Sequence, residues 1–185
     1  MMRLTALSPA HALPPVTFPG LTLSELPYRA ALRIAAYDRA GTEAALARFG
    51  LRFPAPGRAV ETASGTLLWY GVDEALLLAP PEAQASDAAL KTALEGVAAV
   101  SEFGDALCHL RLSGALAEAV LARLVPIDLR ASAFGPDATA RTLLGKQNLS
   151  IRRAGPDGFD LITARSMAQS AVHVISRAME MVSAR

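Results

Sequence analysis

Hydrophobic and polar positions alternate through the middle of the chain. Cys108, Leu110 and Leu112 fall on one side and His109 and Arg111 on the other. A period of two is that of a strand with one buried face. Ser113 then offers an oxygen to cap a helix, and Gly114 lets the chain turn tightly. Leu116, Ala117, Val120, Leu121 and Leu124 recur at helical spacing until Pro126 forbids continuation. This segment reads as strand, capped helix and stop.

The same rules predict a strand within Tyr28–Tyr37, where Leu32 and Ile34 flank Arg33. Thr42 is placed to cap a short helix holding Ala45, Leu46 and Phe49, with Gly50 as a left-handed stop. Thr66–Tyr70 and Ala75–Ala79 are two strands joined across Gly71–Glu74, a hairpin. Ser86 or Asp87 begins a helix with Leu90, Ala93, Leu94 and Val97 on one face, and Val97–Phe103 returns as a strand. Strand, helix, strand, strand, helix, strand is the order of a ferredoxin-like unit.

A second round follows the central segment. Residues 130–137 form a loop, and Thr139–Leu144, Asn148–Arg153 and Phe159–Thr163 read as strands. Ser166–Val182 is a helix with Ser166 and Gln169 at capping-box spacing and an apolar stripe from Ala168 to Val182. The fold class is therefore α+β: two ferredoxin-like (split βαβ) lobes, roughly residues 28–104 and 105–185, fused into one body. Residues 1–27 carry five prolines and little periodicity, so they form an extended arm. Leu13, Val16, Phe18, Leu21, Leu23 and Leu26 are too apolar for a solvated tail. The arm must lie against its own domain or a partner chain.

Composition narrows the function classes. The 185 residues are 52% apolar and 19% charged, which describes a globular chain. A net charge of +1 gives no electrostatic case for nucleic acid or a membrane surface. Cys108 is the single cysteine, so no intrachain disulfide forms, and the three histidines are scattered. No run approaches a membrane span, and Ser8, Pro9, His11, Pro14 and Pro15 interrupt any signal-peptide core. The cytoplasm is the expected compartment.

No catalytic kit stands out. His109 and Cys108 are adjacent on a strand and diverge, which argues against a Cys–His nucleophile pair. Cys108 reads as a small core residue, and His173 as a solvated histidine beside Gln169, Arg177 and Glu180. Asp128 caps the backbone after Pro126, and only tertiary structure could pair it with Asp105. Arg111, Arg141, Arg152 and Arg153 lie on strands, where they either bind an anion or a carboxylate-rich partner, or are paired locally. Trp69 reads as core. Glycine spacing fits no dinucleotide or phosphate loop. No residue of this chain is assigned to catalysis, cofactor binding or metal binding.

An ordered set of short segments carries a family resemblance. It runs Trp69–Glu74 with Leu76–Leu78, Leu110–Gly114, Val120–Ala122, Pro126–Leu129, Phe134, Ala140–Leu144 and Arg165–Met167. Together they resemble the gamma subunit of heterotetrameric sarcosine oxidase, a family related to the folate-binding aminomethyltransferase (T-protein) superfamily. The resemblance covers most of residues 60–182. It implies a non-catalytic, architectural subunit of a complex that oxidises sarcosine to glycine and hydrogen peroxide. The one-carbon unit passes to tetrahydrofolate or leaves as formaldehyde. It further implies FAD, FMN, NAD, zinc and tetrahydrofolate in the other subunits and none here, with alpha, beta and delta subunits as partners, mainly alpha. Two other readings are a stand-alone folate-dependent aminomethyltransferase-like protein and a scaffold subunit of a related amine or opine oxidase.

Overall fold

The computed structural model describes residues 7–11, 13–80 and 88–184. In chain order these form β1 (Val16–Phe18), β2 (Leu21–Glu25), β3 (Ala31–Ala36), α1 (Arg39–Ala47), β4 (Ala59–Thr62), β5 (Gly65–Gly71) and β6 (Glu74–Leu78). There follow α2 (Ala88–Leu94), β7 (Ala98–Glu102), β8 (Leu107–Ser113), α3 (Ala117–Leu121), β9 (Thr139–Leu144), β10 (Gln147–Arg153), β11 (Gly158–Ala164) and α4 (Ala168–Ser183). The chain is mixed α+β, with two antiparallel sheets.

One sheet runs β4-β5-β6-β3-β7 and the other β1-β2-β8-β11-β10-β9. Taking β3, β5, β6 and β7 as the first to fourth strands gives the spatial order 4-1-3-2 of a split βαβ unit. The second sheet has the same order with β8, β10 and β11 as its first three strands. Its fourth position is filled by β2, which precedes the whole first sheet in sequence.

Alternation along the strands sorts the side chains into layers. Leu32, Ile34, Leu67 and Leu77 face Leu46, Leu90 and Leu94 of α1 and α2. Cys108, Leu110, Leu112, Phe159 and Leu161 face Val120, Leu121, Ile175 and Met179 of α3 and α4. Ala31, Ala59, Leu68, Leu76 and Leu78 meet Leu107 and Ile162 between the two sheets. Helices lie outside and sheets inside. The edge strands are also stitched together: Arg58 bridges Ala138, and Ala59 N–H donates to Asp137 O at 2.7 Å.

Residues of the N-terminal arm lie against the chain's own body. β1 and β2 form a hairpin about Pro19-Gly20, and β2 pairs with β8 from Thr22↔Ser113 to Glu25↔Leu110. Leu21 and Leu23 are buried, while Thr22 and Ser24 between them are half-buried. Burial of these alternating leucines is the reason the segment is a strand.

Several caps differ from expectation. Asp38, not Thr42, caps α1, accepting from Gly41 N–H at 3.0 Å, while Thr42 donates its hydroxyl to Asp38 O. Ser113 remains in β8, and α3 begins after Leu116 without a side-chain cap. Arg165–Met167 form a 3-10 turn ahead of α4, so Ser166 and Gln169 make no capping box there. Ala59–Thr62, read as no element, pairs with β5. Ser86 and Asp87, expected to begin a helix, lie outside the described residues.

Candidate functional site

A cavity of about 820 Å³ opens where the N-terminal segment passes β8. Leu7, Leu13, Leu26 and Leu107 supply its apolar wall, and Glu25, Tyr28, Asp105, His109 and Arg165 its polar groups. β8 brings His109 here by simple alternation: Cys108 and Leu110 face the helices, so His109 faces the other way. Pairing with Ile162 and the 2.8 Å bond from Leu26 N–H to His109 O hold its backbone.

His109 is 7% exposed, and its Nε2 is buried with no hydrogen-bond partner among the described residues. Burial, reinforced by the Arg29 charge and opposed by Asp160, pushes its pKa down to about 4. At neutral pH it is therefore an uncharged imidazole. The other polar groups are largely committed. Glu25 accepts from Ser8 Oγ at 2.8 Å and from Ala10 N–H at 2.9 Å, and Arg165 donates to Leu7 O. Tyr28 rests on the Gly104 backbone so closely that a Cβ there would stand 2.7 Å from the Tyr28 hydroxyl. The site can hydrogen-bond and enclose apolar surface.

Cys108 lies on the opposite face of β8, fully buried. Burial first, and the Glu25 charge second, push its pKa up to about 12, so it is a thiol and not a thiolate. Cys108 and His109 are not brought together. His173 is exposed on α4. Asp128 accepts from Arg130 N–H at 3.0 Å and pairs with its guanidinium. Asp105 stands instead at the cavity.

The strand arginines are paired locally. Asp160 accepts from Arg111 Nε at 2.7 Å and from Arg152 Nη2 at 2.9 Å, and Arg152 also meets Glu61 on β4. Burial alone would raise the Asp160 pKa, but the bonds from Arg111 and Arg152 outweigh it and hold the carboxyl below its usual range. Arg141 stacks on Tyr70, 4.2 Å from the ring centre, and donates to Tyr70 O. Arg153 faces the helix side, where it donates to Phe134 O, Leu129 O and Pro156 O and pairs with Glu118. It ties down the loop between α3 and β9. The cavity itself was not anticipated from sequence. The only local signal is a histidine between two core positions of a strand.

Two sheets backed by outer helices define an α+β class shared with a larger enzyme. The structure is similar to glycine cleavage system aminomethyltransferase T from Bartonella henselae, with a TM-score of 0.58 and 19% identity. The match covers 84% of this chain and 45% of that one, a likeness of fold. The match to a heterotetrameric sarcosine oxidase from Corynebacterium sp. U-96, in complex with pyrrole 2-carboxylate, is stronger. There the TM-score is 0.80 and the identity 29%, over 89% of this chain and 86% of that chain. Residues 33–178 match the model of the sarcosine oxidase gamma subunit family, and the chain belongs to that family. No curated protein is significantly similar to the chain.

Proposed function

We propose that this chain is the gamma-type subunit of a heterotetrameric sarcosine oxidase and acts there in assembly, without redox chemistry of its own. The observation that carries the reading is the family match over residues 33–178, in a chain whose fold parallels 86% of a chain of such an oxidase. The complex converts sarcosine, oxygen and water to glycine, formaldehyde and hydrogen peroxide, or passes the one-carbon unit to tetrahydrofolate. Flavins and NAD belong to the alpha and beta subunits and zinc to delta. The alpha subunit is the main contact. Residues 28–185 act as one body of two lobes, divided near residue 104, in the cytoplasm. No helix of the described residues is long and apolar enough to cross a membrane.

Two observations on this chain's own residues support leaving those groups to the other subunits. Cys108 and His109 point to opposite faces of β8, so they cannot converge on one zinc ion. Each oxygen of Glu25 already accepts one hydrogen bond, from Ser8 or from Ala10 N–H, which holds the carboxylate to the N-terminal segment. A stand-alone folate-dependent aminomethyltransferase has only a likeness of fold over 45% of such a chain behind it. A related amine or opine oxidase would differ in the subunit that selects the substrate.

The test is to co-express the tagged chain with the alpha, beta and delta subunits and take the absorbance of the purified eluate. A yellow complex that makes peroxide with sarcosine supports the reading. A colourless, lone 19.4 kDa species refutes it, and peroxide only with another amine moves the chain to a related oxidase.

A further inference from the structure

We propose that a groove on the outer side of α4 docks a segment of another subunit, one that carries a large apolar side chain beside a carboxylate. Val174, Ala178 and Met181 recur at i, i+4 and i+7, so they form one ridge of α4 next to the stripe that packs on the sheet. With Leu124, in the turn after α3, they line a groove of about 410 Å³. Ala178 is its buried floor, Val174 and Leu124 are half-buried, and Met181 is 52% exposed. The apolar surface is therefore open to a partner.

The polar rim says what that partner carries. Arg123, His173 and Arg177 line the groove and no carboxylate does. The Arg123 guanidinium is exposed, with no ion pair or hydrogen bond among the described residues. Arg177 meets Glu180 at 2.7 Å on the same helix, but both side chains are more than half exposed. Such a pair is weak and readily exchanged for another carboxylate. Two guanidinium forks beside an apolar ridge match a carboxylate next to a large apolar side chain. A groove that leaves Met181 half exposed does not enclose a free small molecule as a ligand pocket does. It has room for a side chain projecting from a folded partner, and arginine and methionine are both enriched where proteins meet. That the partner is another subunit rests on the assembly reading above.

The test uses the assembled complex. It is incubated with equal amounts of the unaltered chain and a variant, each differently tagged, and the ratio taken up is read by mass spectrometry. Arg123→Glu should lose this competition about tenfold and Met181→Asp about thirtyfold. Arg48→Glu, an exposed charge reversal at the end of α1, should compete equally. A photoreactive benzophenone side chain placed at Met181 identifies the occupant. It should crosslink to another subunit, in a segment with a large apolar residue and an Asp or Glu about one helical turn apart. Equal competition by Arg123→Glu and Met181→Asp overturns the proposal and leaves the assembly reading standing. An equal loss in Arg48→Glu, a crosslink to a second copy of this chain, or one to a segment without a carboxylate also overturns it. A complex that does not take up the unaltered chain overturns both. Should Met181→Asp melt early, Arg123→Glu and the crosslink decide.

Discussion

Gly114 and Gly20 meet backbone to backbone, so that a Cβ built on Gly114 would stand 2.1 Å from the Gly20 carbonyl oxygen. Gly114 also has φ +119°, a region that L side chains rarely adopt. The contact is where the N-terminal hairpin docks on the end of β8. Gly114→Ala should destabilise the chain by about 3 kcal/mol, from strain and clash together. Gly50→Ala supplies the contrast: its φ is +68° but nothing lies within 4 Å of the added carbon. That change should cost about 1 kcal/mol. Urea denaturation midpoints of the two variants check the difference.

Leu23 is fully buried under the helices of the second sheet. Leu23→Ala should cost about 3 kcal/mol by leaving a cavity. Deleting residues 1–27 removes the whole strand and bares the backbone edge of β8 beside it. The shortened chain should elute as aggregate in gel filtration, with no cooperative urea transition.

His109 makes stability depend on pH. Its folded pKa, about 4, lies below the ordinary value of 6.5, so the unfolded chain binds the proton first. Stability therefore falls as the pH drops from about 6.5 to about 4, by about 3 kcal/mol from this one group, and levels below that. In His109→Leu this part of the loss should vanish, as read from urea midpoints across that range.

Asp160 acts in a lower window. Its folded pKa is depressed, so its contribution is present above the unfolded value of about 4 and is lost as the pH falls through the folded one. Asp160→Asn should cost about 2 kcal/mol at neutral pH, because it leaves Arg152 without its inner carboxylate. The exposed share of Arg111 lowers the figure from that of a fully enclosed pair. The variant should lose stability less steeply in acid than the unaltered chain does.

Elements with local evidence were legible in the sequence. The alternation of β8, the β5–β6 hairpin and the stripe of α4 each announce themselves within a few residues. β2 did not, although Leu21 and Leu23 alternate with Thr22 and Ser24, because one of its strand partners, β8, lies far along the chain and the other, β1, is only three residues long. Cap positions also misled. Ser113 and Thr42 have capping side chains, but strand pairing keeps the first in β8 and Asp38 reaches the helix end ahead of the second. The sequence placed His109 opposite Cys108 on β8. It did not reveal that His109 is buried, because the residues that cover it come from β2, the connection to β3 and the turn before β8.

The fourth strand of the second sheet has a consequence for how the chain is made. Thr22 leaves the ribosome 91 positions ahead of Ser113, its neighbour in the finished sheet. At ordinary rates of synthesis the hairpin waits about ten seconds for that neighbour. Meanwhile Leu21 and Leu23 have β1 on one side and no β8 on the other. Residues made earlier close the lobe made later, so neither the hairpin nor that lobe is complete until both are made. Anything that shields the nascent hairpin during that interval acts on the yield of the whole molecule.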